Sequence, residues 1–108
     1  MSLEIENIPK SLRKRGLDRN IKEICESNDI VFMAIFGSFV RGEQKKTSDI
    51  DIAIEFNKQK PKSLLDLIRA ENQLSQAFHR KVDLGLLHSL NSLIAEDVRK
   101  EMRVIYEK

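Results

Sequence analysis

Between Asp49 and Phe56 the chain reads DIDIAIEF, an unbroken alternation of acidic or small residues with large apolar ones. Successive side chains of a strand point to opposite faces, so Ile50, Ile52, Ile54 and Phe56 share one face. Asp49, Asp51, Ala53 and Glu55 share the other, and the two aspartates stand side by side. Like charges that close repel, which raises at least one pKa unless a cation intervenes. A hard divalent cation such as Mg2+ relieves the repulsion, because it takes oxygen ligands and few of them from protein. An Asp-x-Asp pair alone describes the solvent face of an amphipathic strand at least as well.

The remaining elements fit around that strand. IVFMAIF, residues 30–36, is a continuous apolar run of strand length and predicts a strand buried on both faces. Leu17, Ile21, Ile24 and Cys25 recur at helical spacing and predict a helix to about Asn28, with Gly16 a weak start and SLRKR a separate turn. NKQKPK is a turn, and Pro61 precedes a helix whose apolar stripe is Leu64, Leu67, Ile68, Leu74 and Phe78. KVDLGLL predicts a third strand, with Val82, Leu84 and Leu86 opposite Lys81, Asp83 and Gly85. A last helix from about Asn91 carries Leu93, Ile94, Val98 and Met102, and VIY at its end is an alternative short edge strand. The fold class is α/β (α+β), a small mixed sheet with helices packed against it.

Length and composition narrow the function. With 108 residues, 1–108 is expected to be a single domain. Its 41% hydrophobic and 33% charged residues describe an ordinary soluble chain, and no apolar run approaches the roughly 20 residues of a membrane span. MSLEIENIPK lacks the features of a signal peptide, and a single cysteine, Cys25, expected in the core, fits a reducing cytoplasm. The net charge of +2 is no argument for nucleic acid. The basic residues Lys10, Arg13, Lys14 and Arg15 have no interleaved aromatics, so direct nucleic-acid binding is not indicated.

If the third strand neighbours the alternating one, Asp83 adds a third carboxylate, and three carboxylates can hold two Mg2+ ions. Gly37-Ser38 ends the buried strand. A glycine there lets backbone approach a ligand closely, and N–H groups with a hydroxyl suit phosphate oxygens where a helical turn begins. The Gly-Lys-Ser/Thr ending of a Walker A loop is absent. Arg41 fits either a phosphate contact or a brace against a carboxylate, whereas Lys45 and Lys46 suit a solvated loop. His79 and His88 lack partners at zinc spacing, and His79 with Arg80 suits a helix C-terminus. Tyr106 is expected to be exposed near the end of the chain.

Gly37-Ser38, ten residues, then Asp49-x-Asp51 resembles the signature of the nucleotidyltransferase superfamily that includes DNA polymerase β. With Arg41-Gly42, Ser48 and the downstream strand aspartate Asp83, FGSFVRGEQKKTSDIDIAIEF resembles the minimal nucleotidyltransferase (MNT) branch. The resemblance runs from the first helix to VIYEK and implies the nucleotidyltransferase fold. It also implies that Gly37 and Ser38 hold the β- and γ-phosphates of a nucleoside triphosphate, with Arg41 and Ser48 in the same nucleotide site. Asp49 and Asp51 would bind two Mg2+ ions, and Asp83 would complete the second metal site, where the acceptor hydroxyl loses its proton. Asp49, Asp51 and Asp83 are thus the implied catalytic set. ATP as donor follows from the branch and from no residue here.

Members of this branch typically pair with a small helical HEPN-domain protein, often a ribonuclease toxin. They act as antitoxins, by tight binding or by transferring AMP to a toxin tyrosine. The chain stops with the core, so its acceptor surface is expected to come from that partner. Two readings stay open beside this one. One is a non-catalytic module that neutralises its partner by covering it, and the other a transferase acting on a small molecule or an RNA end.

Overall fold

A computed structural model describes residues 2–89 and 92–108, and its elements follow from the local sequence. Ser2–Leu3 forms a two-residue strand, β1, followed by single 3-10 turns at Ile5–Asn7 and Lys10–Leu12. Helix α1 (Leu17–Ser27) buries Leu17, Ile21 and Cys25. The apolar run is β2 (Ile30–Phe36), a four-residue helix α2 (Ser38–Arg41) follows Gly37, and the alternating segment is β3 (Ile50–Phe56). Ser63 opens α3 (Leu64–Phe78) with a capping box in which its N–H donates to Asp66 Oδ2 at 2.8 Å. Then come β4 (Val82–Leu86), a 3-10 turn at Leu87–Ser89, α4 (Ser92–Glu101) and β5 (Arg103–Glu107).

The sheet runs β1-β5-β2-β3-β4, with β3 and β4 parallel and every other pair antiparallel. It is the mixed sheet expected, with one correction at its C-terminal strand. The segment around VIY is not an edge strand. β5 pairs with β1 on one side and β2 on the other, and Ile105 and Tyr106 are fully buried. Tyr106 is therefore a core side chain rather than an exposed one, and burial pushes its phenol pKa up. β1, at two residues, is too short for any periodicity to announce.

Helices α1 and α3 cover one face of the sheet, where Ile21, Cys25, Leu74 and Phe78 join Met33, Ile35, Ile52 and Ile54 in the main core. Val98 of α4 and Leu87 pack on Ala53 in a second cluster with Phe32, Phe36 and Met102. Both faces of β2 are thus occupied, as its unbroken apolar run predicts. The expected helix start at Asn91 lies outside the described residues, as do the side chains of Leu93 and Ile94.

The stripe expected on α3 is corrected at its N-terminal end. Leu64 is 70% exposed and Ile68 43%, and the buried residues are Ala70, Leu74, Ala77 and Phe78. There α3 borders an open cavity with Phe56 and Leu86 instead of packed sheet. Farther along, α3 guards the outer edge of β4. The Val82 N–H donates to Ser75 Oγ (3.0 Å) and the Leu84 N–H to Glu71 Oε2 (2.9 Å), so those edge groups are satisfied. Among the described residues no helix is long and apolar enough to cross a membrane.

Candidate active site

Gly37 sits where β2 stops, with φ 81° and ψ −154°. The antiparallel register sets Phe36 opposite Asp51, which brings the Gly37 backbone against the second aspartate. A Cβ built on Gly37 would lie 3.0 Å from Asp51 Cγ and inside the contact distance of Asp51 Oδ2. Both the positive φ and this approach require glycine. The turn that opens onto α2 and the acid pair at the start of β3 therefore form one surface.

The parallel pairing of β3 with β4 sets Asp51 beside Asp83 on the same face. Asp51 is half-buried, Asp49 is half-exposed and Asp83 is exposed. Lys81, just before β4, reaches to 3.8 Å from Asp49 Oδ2. Burial pushes the Asp51 carboxyl above the ordinary carboxylate range. The Asp83 and Asp49 charges push the same way, Arg41 pulls it down, and Glu101 adds a further upward push. No three acidic, His or Cys side chains among the described residues come close enough together to hold a metal ion. The strand neighbourhood needed for the three carboxylates is present, but they do not close into a cage. The donor set still suits Mg2+, being all oxygen, negatively charged and short of compensating cations at Asp51.

Arg41 braces carboxylates. Its Nη1 donates to both oxygens of Glu101 at 3.0 Å, and its Nε to Glu43 Oε1 at 3.2 Å. Glu101 Oε1 also accepts the Gly37 N–H at 2.9 Å. Ser48 serves the loop before β3, its hydroxyl accepting the Lys45 N–H at 2.8 Å. Ser38, half-buried, begins α2 directly after Gly37. Gly37, Ser38, Arg41, Asp49, Asp51 and Asp83 are thus gathered at one end of β2, β3 and β4, whereas Ser48 faces its own loop.

Glu101 was not singled out from the sequence, and Lys81 and Arg80 were named there for other reasons. Glu101 lies 60 residues from Arg41 along the chain, and no local spacing points to it. Lys81 is visible as an Asp49 neighbour only once the strands are paired. Arg80 donates from Nη1 to the carbonyls of Ser48 (2.9 Å) and Lys46 (3.1 Å) while lying over the Phe39 ring at 5.1 Å. It is a staple for the loop leading to Asp49, a larger role than the helix-end charge its position suggested.

A cavity of about 620 Å3 opens among Phe36, Gly37, Arg41, Asp51, Val98 and Glu101. A larger one, about 730 Å3, lies at the opposite ends of β3 and β4 and touches none of the site aspartates. The smaller cavity is the one joined to the chemistry.

Comparison with known proteins identifies the family. The family described as "Polymerase beta, Nucleotidyltransferase" matches residues 19–108. The chain is 40% identical over 81 residues to "Protein adenylyltransferase MntA" of Thermococcus cleftensis, spanning 75% of this chain and 80% of that one. It is 38% identical over 85 residues to a Methanocaldococcus jannaschii protein named as a candidate protein adenylyltransferase, spanning 79% and 89%. Among solved structures, a toxin-antitoxin crystallised with AMP-PNP matches with a TM-score of 0.68 at 23% identity, over 83% of this chain and 73% of that one. A complex of a tri-AMPylated Shewanella oneidensis HEPN toxin with its MNT antitoxin matches at 0.62 and 19%, over 85% and 71%. At those identities the two structures establish the fold alone.

Proposed function

Because this chain belongs to the polymerase β nucleotidyltransferase family, we propose that it transfers AMP from ATP to a tyrosine hydroxyl of a helical HEPN toxin and thereby acts as its antitoxin. The observation that carries the reading is the packing of Gly37 against Asp51, which supports assigning phosphate to the turn and metal to the acid pair on one surface. Relatives sharing about two-fifths of their residues and named for protein adenylylation support AMP as the transferred group. Residues 1–108 are proposed to act as one catalytic domain in the cytoplasm, in keeping with a free, buried Cys25.

In this reading Gly37 and Ser38 receive the β- and γ-phosphates, and the Ser48 turn fixes the approach of the loop to Asp49. Asp49 and Asp51 hold the cation position, with Asp83 on the solvent side of Asp51. Two Mg2+ ions bound there would neutralise phosphoryl oxygens and favour the ionised acceptor hydroxyl. The acceptor oxygen forms a bond to the α-phosphorus and the bond to the bridging oxygen breaks. Pyrophosphate departs, and the acceptor's proton leaves on the open Asp83 side.

The test is to mix the protein with ATP, Mg2+ and the product of the neighbouring gene, then locate added mass by peptide mass spectrometry. AMP on a tyrosine of that partner is the expected result. A partner fully neutralised in a tight complex, with no added AMP, would replace this reading with a covering module.

A further inference from the structure

Glu101, the last residue of α4, carries its carboxylate to the position where the proposed reaction needs phosphate. The Gly37 N–H is its donor at 2.9 Å, and Arg41 Nη1 donates to both of its oxygens at 3.0 Å. A glycine N–H with no side chain above it, paired with a guanidinium, is a donor set that receives phosphate as readily as carboxylate. One N–H cannot serve both anions at short distance. We infer that Glu101 is a displaceable stand-in for nucleotide phosphate, which Mg-ATP must expel to take over the Gly37 N–H and Arg41.

Electrostatics requires the exchange. A triphosphate approaching Asp49, Asp51 and Asp83 already meets three carboxylates, and a retained Glu101 would add a fourth negative charge beside Arg41. The geometry permits it. The Glu101 side chain is 26% exposed, and among the described residues its side-chain hydrogen bonds are to these two groups. Its helix is held to the sheet by Val98, one turn earlier, so rotating Glu101 outward leaves that packing in place. Arg41 keeps Glu43 at 3.2 Å as a second partner and stays near the cavity when Glu101 leaves. The carboxylate therefore satisfies the anion-binding donors whenever nucleotide is not bound and lowers the affinity for nucleotide. The inference rests on the nucleotide reading above and adds the residue that sets its affinity.

The experiment titrates wild type, Glu101→Gln, Glu101→Ala, Arg41→Ala and the Glu101→Gln/Arg41→Ala double variant by calorimetry. The probes are ATP with Mg2+ and inorganic tripolyphosphate with Mg2+, and melting curves verify that each variant folds. Both Glu101 variants are expected to bind both probes about five-fold more tightly, the scale of a partly exposed charge pair. Arg41→Ala should bind more weakly, and Glu101→Gln should gain less in the Arg41→Ala background because the freed guanidinium carries part of the gain. Weakened or unchanged binding in the folded Glu101 variants would make Glu101 a brace for Arg41 and overturn the inference, leaving the nucleotide reading intact. Failure of every variant to bind either probe would remove the nucleotide reading and this inference together.

Discussion

Asp51 concentrates the electrostatic cost of the site in one side chain. Its carboxyl is raised above 3.8 by burial first and by Asp83 and Asp49 next. A raised carboxylate pKa means that the folded state binds protons more readily than the unfolded chain, so ionising Asp51 costs stability. That cost is absent below the unfolded value, grows as pH climbs toward the raised folded value, and is fully present above it. Asp51→Asn is therefore expected to leave the metal-free protein at least as stable as wild type at pH 7, with the difference narrowing as pH falls through the raised folded value and vanishing below the unfolded one. Melting curves across that range check it, and a clear loss of stability at pH 7 would contradict it. Wild type is expected to melt at a higher temperature with Mg2+, and the same variant to lose that rise. These aspartates were legible because a period of two fixes which side chains share a strand face. The Arg41–Glu101 pair was not, since its partners meet only through the completed fold.

At the scale of elements, the proposed meeting of the acid pair with phosphate depends on the turn between β2 and α2 and on the loop before β3. Gly37→Val places branched carbon against Asp51 at a positive φ, so it should abolish nucleotide binding and lower the melting temperature. Ser38→Ala deletes one hydroxyl and should weaken triphosphate binding by about 0.5–1.5 kcal/mol, the net worth of a typical hydrogen bond. Calorimetry with Mg-ATP separates the two, and equal affinities would place the phosphates elsewhere. Arg80→Met keeps bulk over Phe39 but removes the bonds to the Lys46 and Ser48 carbonyls, so amide exchange in 45–48 should quicken while the sheet stays protected. Strands β2, β3 and β4 announced themselves through apolar run and alternation. The interior place of β5 did not, because five residues show what a strand is made of and not which strands will flank it. The first turn of α3 misled for a related reason: Leu64 and Ile68 keep helical spacing, but the sheet ends before it reaches them.

For the whole molecule, the sheet gathers the carboxylates at one end of β3 and β4 and leaves that end open beside Glu101, while helices cover both faces away from it. The superfamily was readable from one segment, Phe36 to Phe56, because that segment carries both the turn and the acid pair. The proposed acceptor was not, since a group on another molecule leaves no residue in this chain. The account stands on nucleotidyl transfer at Asp49 and Asp51, and the position of the label in ATP tests that most directly. Wild-type protein, Mg2+ and the helical partner are incubated with ATP labelled at the α-phosphate or at the γ-phosphate, beside Asp49→Asn and Asp51→Asn controls. The account predicts that the α-label becomes covalently attached to the partner, that the γ-label leaves in pyrophosphate, and that neither variant transfers label. Retention of the γ-label on the partner, or α-label transfer by the aspartate variants at the wild-type rate, would contradict it.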